Sequence, residues 1–193
     1  MQGKYAELMF DMETGGTGAD AWIAQFACAV MGQGKLEMAF EVTIDYTQPQ
    51  TGRVMDASTM AWWAHPKRAE AFEQVWKDSN INLASALVAF NDHINTIETV
   101  YGKPVRIWSK GPSFDMAIMQ DAYRKLGISF PISFRNFMCY RTIAAMYPDM
   151  RSTSATEHYG VQELAHPHTA FGDVERQGFH LMYLNDTVLG GRL

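Results

Sequence analysis

The stretch Leu8-Met9-Phe10-Asp11-Met12-Glu13-Thr14-Gly15-Gly16 is an apolar run that ends in two carboxylates on alternate positions. Side chains alternate faces along a strand, so Asp11 and Glu13 emerge on one side and Met12 on the other. Like charges held close raise each other's pKa and repel, and a bound cation is the natural resolution. Taken alone, an Asp-x-Glu is more often a solvated strand end before a glycine turn. Two stretches far downstream decide between the readings.

The first is Trp108-Ser109-Lys110-Gly111-Pro112-Ser113-Phe114-Asp115. Ser113 is expected to cap a helix whose apolar stripe is Phe114, Ile118, Met119, Ala122 and Leu126, with Gly127 as its stop. Asp115 then falls in the first turn, where the helix dipole favours an anion. The second stretch is His166-Pro167-His168-Thr169-Ala170-Phe171-Gly172-Asp173-Val174-Glu175-Arg176-Gln177. Pro167 disfavours helix at His166, and Thr169 can cap a helix running to about Leu184. On that register His168 is N′ and Asp173 is N4, two positions that approach across the first turn.

Asp-x-Glu, then Phe-Asp, then His followed five residues later by Asp, in that chain order, resembles the DEDDh branch of 3'-5' exonucleases. The resemblance extends over most of the chain and is strongest to small stand-alone phage and bacterial enzymes of the DexA type and to related exoribonucleases. Asp-Met-Glu-Thr-Gly-Gly, the Trp62-Trp63 pair, Phe137-x-x-x-Arg141-Thr142 and the His168 to Gln177 segment carry it. It implies an α/β, RNase H-like fold, with Asp11, Glu13, Asp115 and Asp173 as metal-binding acids and His168 as general base. It also implies two Mg²⁺ or Mn²⁺ ions, and a Met12 backbone near the terminal nucleotide. Met12, Thr14, Trp62, Trp63, Phe114 and Arg141 are the candidate substrate contacts; pairing with an acid is the alternative for Arg141, and of the adjacent Trp62 and Trp63, about 100° apart on a helix, one is expected in the core and the other toward the substrate. Two departures stand out: many relatives carry Asn where Lys110 stands, and an alanine-leucine pair with a non-glycine residue where Phe171 and Gly172 stand.

The remaining pattern suits that fold. Tyr5 to Asp11, Trp22 to Val30 and Leu36 to Ile44 read as an antiparallel three-strand meander, the last two strands joined through Gly32-Gln33-Gly34. Asp56 or Ser58 can cap a short turn bearing Trp62 and Trp63, and Pro66 to Trp76 reads as a further helix. Asn82 precedes an amphipathic helix with Leu87, Val88, Ile94, Ile97 and Tyr101 on its inner face. Val105 to Trp108 and Phe134 to Cys139 read as strands, the latter followed by a helix near Arg141 to Met146. Arg151 to Glu157 reads as a polar, mobile loop. Strands followed by alternating helix and strand predict a mixed central sheet flanked by helices.

A chain of 193 residues suits one domain, 1–193. No run approaches the ~20 apolar residues of a membrane span, and Met1-Gln2-Gly3-Lys4 lacks the apolar region of a signal peptide, so a cytoplasmic location is the expectation. Cys28 and Cys139 read as reduced thiols. The formal net charge of −5 is unusual for a phosphate-binding protein, but two divalent ions would offset most of it. Binding is then expected to concentrate at a strand end, not along a duplex.

Oxygen-only ligands favour Mg²⁺ or Mn²⁺ over zinc. A His166-x-His168 zinc pair lacks a third nitrogen or thiol ligand at obvious spacing, and His65, His93, His158 and His180 receive no role. The expected activity is hydrolysis from single-stranded DNA or RNA 3' ends, with no membrane partner and a homodimer as one assembly. The competing readings are an oligoribonuclease-like enzyme that trims very short RNA and a catalytically silent RNase H-like interaction module.

Overall fold

The computed structural model describes residues 3–77, 79 and 81–191; Met1 and Gln2, part of the signal-peptide reading, lie outside the described residues. β1 (Ala6–Thr14), β2 (Ile23–Met31) and β3 (Leu36–Thr43) form the expected antiparallel meander. Its second hairpin closes with Gly32 N–H donating to Lys35 O at 2.8 Å, and Gly34 takes a φ of 69°, a conformation a glycine adopts without steric cost. β4 (Val105–Ser109) adds parallel to β1 and β5 (Phe137–Cys139) parallel to β4, giving the order β3-β2-β1-β4-β5.

Parallel neighbours need crossovers, and helices supply them. Between β3 and β4 lie α1 (Ala57–Trp63), α2 (Ala69–Val75) and α3 (Leu83–Tyr101); α4 (Asp115–Leu126) connects β4 to β5. α5 (Tyr140–Met146), α6 (Ser152–Tyr159) and α7 (Ala170–Leu184) follow, and the chain then runs through a short π turn, Asn185–Leu189. Among the described residues no helix is long and apolar enough to cross a membrane.

The strand period decides what each sheet face meets. Leu8, Phe10 and Met12 point into the larger core, against Phe90 and Ile94 of α3 and Ile118 and Met119 of α4. Met9 points the other way, into a smaller core built with Ala27, Ala29, Trp108 and the α7 residues Ala170, Val174 and Leu181. Small residues bring α7 close to the sheet: a Cβ on Gly178 would stand 2.9 Å from Leu36 Cδ2 and 3.7 Å from Met9 Cβ. Asp11 and Glu13 share the face of Met9, and α7 is therefore the helix laid beside them.

Several expectations about these elements need correction, among them Leu126, which lies exposed and off the apolar stripe assigned to it. Val88 is 48% exposed, and Phe90 takes the inner position assigned to it, because Leu87 and Val88 point about 100° apart on a helix. The region from Pro66 to Trp76 divides into a 3₁₀ turn, Pro66–Arg68, and α2. Phe134–Asn136 is likewise 3₁₀, which leaves only Phe137–Cys139 as strand. The expected loop at Arg151 to Glu157 is mostly helix: Ala155 is buried with Phe179 and Met182 of α7, and Gly160 ends α6 in the left-handed conformation. Its polar composition hid a single packed alanine.

Candidate active site

β1 and β4 run parallel, so Asp11 and Glu13 of β1 and Ser109 of β4 reach the same, carboxyl edge of the sheet, where open α/β sheets place their ligands. α7 crosses this edge with its first turns. One carboxylate oxygen each from Asp11, Glu13 and Asp173 lie within 4.8 Å of one another. Asp115, the first residue of α4, stands outside that trio, yet its charge is the largest influence on Asp11 after burial.

The helix starts explain how the two distant acids arrive. Thr169 caps α7 as expected, its hydroxyl accepting from Gly172 N–H at 3.2 Å, which sets Asp173 at N4. Gln25 of β2, buried opposite Glu13, accepts from Ala170 N–H at 2.9 Å and ties the same helix start to the sheet. α4 begins without the Ser113 cap. Instead Phe114 N–H and Asp115 N–H both donate to Gly111 O, at 2.7 and 3.2 Å, so a backbone turn replaces the side-chain cap and leaves Ser113 exposed.

The electrostatics of the cluster are those of an anion trap turned inside out. Burial and then the charges of Asp115, Glu13 and Asp173 push the Asp11 carboxyl well above its usual range, opposed by a hydrogen bond from Gln177. Burial, Asp173 and Asp115 push Glu13 up to about 8, with Lys110 opposing. Burial raises Asp115 to about 6, held back by the Ser109 hydroxyl, nearby backbone amides and Arg141. Among the described residues none of the four acids forms an ion pair. All four offer carboxylate oxygen and nothing softer, a donor set that fits hard divalent cations such as Mg²⁺ or Mn²⁺.

His168 stands one residue before the cap, exposed, with φ 63°, a left-handed conformation uncommon for a side-chain-bearing residue. The turn that presents it is closed on His166 O, which accepts from Thr169 Oγ1 at 2.7 Å. Gly172 is fitted to that carbonyl: a Cβ there would stand 2.0 Å from His166 O. His166 itself faces Glu70, with Nε2 3.3 Å from Oε2, and Nδ1 donates to Pro167 O at 2.6 Å. Among the described residues the carboxylate trio is the one group of three or more metal-type ligands, so the His166-x-His168 zinc reading finds no third ligand.

The adjacent tryptophans divide as their helical spacing requires. Trp63 is 1% exposed, packs with Trp76 and Phe72, and donates from Nε1 to Thr14 O at 2.9 Å, locking the end of β1. Trp62 is 40% exposed, and its ring meets that of His168 edge-on at 5.3 Å. The Arg68 guanidinium lies over Trp62 at 3.7 Å. The other proposed contacts differ in reach. Met12 and Thr14 are buried, Thr14 Oγ1 donating to Gly16 O at 2.7 Å, so neither offers a free side chain. Phe114 is half-buried against the larger core, and Arg141 is exposed near Gly111.

The sequence reading passed over Gln177. It is buried one helical turn beyond Asp173 and donates from Nε2 to Asp11 Oδ1 at 2.8 Å. Its position four residues after an expected ligand was the available signal.

Residues 6–183 match the family model described as the 3'-5' exoribonuclease Rv2179c-like domain. No curated protein matches the chain. Solved structures of the same fold include the nuclease domain of 3'hExo, a DEDDh family member bound to rAMP, with TM-score 0.65, 11% identity, and coverage of 95% of this chain and 94% of that one. Cell-death related nuclease 4 (CRN-4) gives TM-score 0.62 and 16% identity over 96% of this chain, which spans 65% of the CRN-4 chain. S. pombe Pop2p, in a Mg²⁺- and Mn²⁺-bound form, gives 0.59 and 10% identity over 97% of this chain and 85% of that one.

Proposed function

This chain belongs to the family of 3'-5' exoribonuclease Rv2179c-like domains, and on that premise we propose that it removes nucleotides from the 3' end of single-stranded RNA, with Asp11, Glu13, Asp115 and Asp173 holding two Mg²⁺ or Mn²⁺ ions. The observation that carries the reading is the convergence, within 4.8 Å, of three carboxylates from β1 and α7 that form no ion pair among the described residues. Such a cluster costs the fold stability unless cations join it. The Mg²⁺- and Mn²⁺-bound form of Pop2p supports the choice of ions, and the rAMP held by 3'hExo supports a ribonucleotide at the site.

When bound, divalent ions lower the pKa of an attacking water and stabilise the departing oxygen of a phosphodiester. His168, exposed on its left-handed turn beside the cluster's own helix, is the residue to take the proton of that water. Trp62 offers an aromatic surface next to His168, suited to a base of any identity in a single strand. Trp63 holds the β1 end that carries Glu13 through its bond to Thr14 O.

The test is degradation of matched 5'-labelled RNA and DNA oligomers with Mg²⁺ or Mn²⁺. Stepwise shortening of RNA from the 3' end, abolished by EDTA, is the expected result. Faster shortening of DNA would overturn the substrate assignment, and full activity in EDTA would overturn the metal assignment.

A further inference from the structure

Gln177 lies outside the acid set, yet its neutral amide is hydrogen-bonded to Asp11. Its Nε2 donates 2.8 Å to Asp11 Oδ1, both residues are buried, and its Oε1 is a buried acceptor with no partner among the described residues. A carboxylate this deep normally finds a cation or several donors. Here it receives one neutral amide. A lysine or arginine in that place would neutralise Asp11 and compete with any incoming ion. The amide instead fixes one carboxylate oxygen by geometry and brings no positive charge of its own to compete with an ion.

The placement follows from the helix. Asp173 and Gln177 are four apart on α7, hence one turn apart on one face, and that face lies on β1 where Asp11 and Glu13 project. The same element therefore supplies an acid to the cluster and the group that orients another.

We propose that Gln177 is a positioning residue for the metal site: it holds Asp11 Oδ1 so that the carboxylate keeps its remaining oxygen turned to the ion. This rests on the proposed reading of the acids as metal ligands. Partners of this kind, which orient ligands without touching the ion, typically contribute 10- to 100-fold to metal affinity or activity.

The experiment compares wild type with Gln177→Leu and Gln177→Met, both of which fill the site without a donor. Melting temperature is followed against Mn²⁺ concentration, and RNA hydrolysis against the same titration. Both variants are expected to fold in EDTA, to need ~10- to 100-fold more Mn²⁺ for half of the thermal shift, and to recover most of their turnover when Mn²⁺ saturates. An unchanged Mn²⁺ midpoint in both variants overturns the proposal. Failure of both to fold in EDTA overturns it too, because Gln177 would then serve the fold. A wild-type protein with no Mn²⁺-dependent shift would instead remove the metal reading beneath it, so the two failures are distinguishable.

Discussion

The polar face of β1 carries acids at both of its ends, and the protein treats them in opposite ways. Near the start, Glu7 is buried and accepts from Trp108 Nε1 at 2.7 Å, from Arg106 Nε at 2.8 Å and also from Arg106 Nη2. At the finish, Asp11 and Glu13 meet other carboxylates and, among the described residues, no cation within ion-pair distance. The residue type, strand and face are shared, so the difference lies in what β4 and α7 bring alongside. A compensated buried acid serves the fold, and an uncompensated cluster is tolerated for what it binds.

The largest effect that could break this contrast comes from swapping the loss between the two ends. Replacing Asp11, Glu13 or Asp173 by its amide should abolish hydrolysis while leaving the melting temperature in EDTA unchanged or higher, since each removes repulsion. Glu7→Gln should do the reverse, keeping the activity but lowering stability by about 1–3 kcal/mol as Arg106 loses its partner. Hydrolysis assays and thermal melts on the same samples measure both. An inactive, stable Glu7→Gln would erase the distinction.

Next in size is His168→Ala, which should lower turnover ~100- to 10,000-fold with little change in the Mn²⁺ midpoint. A lost metal response in that variant would move His168 into the ligand set. Smaller is the split between the tryptophans beside the open end. Trp62→Ala should fold normally and raise KM ~5- to 150-fold, with KM taken to track binding. Trp63→Ala should be destabilised by about 3–5 kcal/mol. Denaturation midpoints and kinetics on the pair decide it, and equal stability losses in both would contradict the division.

The smallest expected effect is the pH dependence of the metal-free fold. Glu13 titrates up to about 8 and Asp115 up to about 6 in the folded chain, whereas unfolded carboxylates titrate near ~4. Above the unfolded value the folded state binds more protons than the unfolded one, so stability falls as pH rises through about 6 and about 8, and Asp11, also pushed up by burial and its neighbouring acids, acts in the same direction. Melts in EDTA from acidic to mildly alkaline pH should show that fall, and Mn²⁺ should flatten it as ions replace protons. A melting temperature in EDTA that climbed over this range would mean that the cluster is already compensated.

Local chemistry made much of the site legible in the sequence. Alternation along a strand is rigid, so Asp11 and Glu13 could be assigned to one face without knowing their neighbours. Thr169 as cap and Asp173 at N4 followed from side-chain chemistry within a few residues. The α4 start was misread because Gly111 O does the capping, and a backbone acceptor leaves no mark in residue identity. α6 was misread because Ala155 is buried only once Phe179 and Met182 are in place. Gln177 and Gln25 escaped notice for a related reason: an amide gains meaning from what lies opposite it, and both partners are more than a hundred residues away in the chain.

The contact between Gly172 and the His166 carbonyl has a consequence for anyone grafting or randomising this protein. With only 2.0 Å for a Cβ, a saturation library should retain glycine at position 172 although the residue performs no chemistry. The turn bearing His168, the Thr169 cap and Gly172 are built as one unit in this chain. In this chain a side chain at position 172 would keep the motif and displace the turn that carries His168.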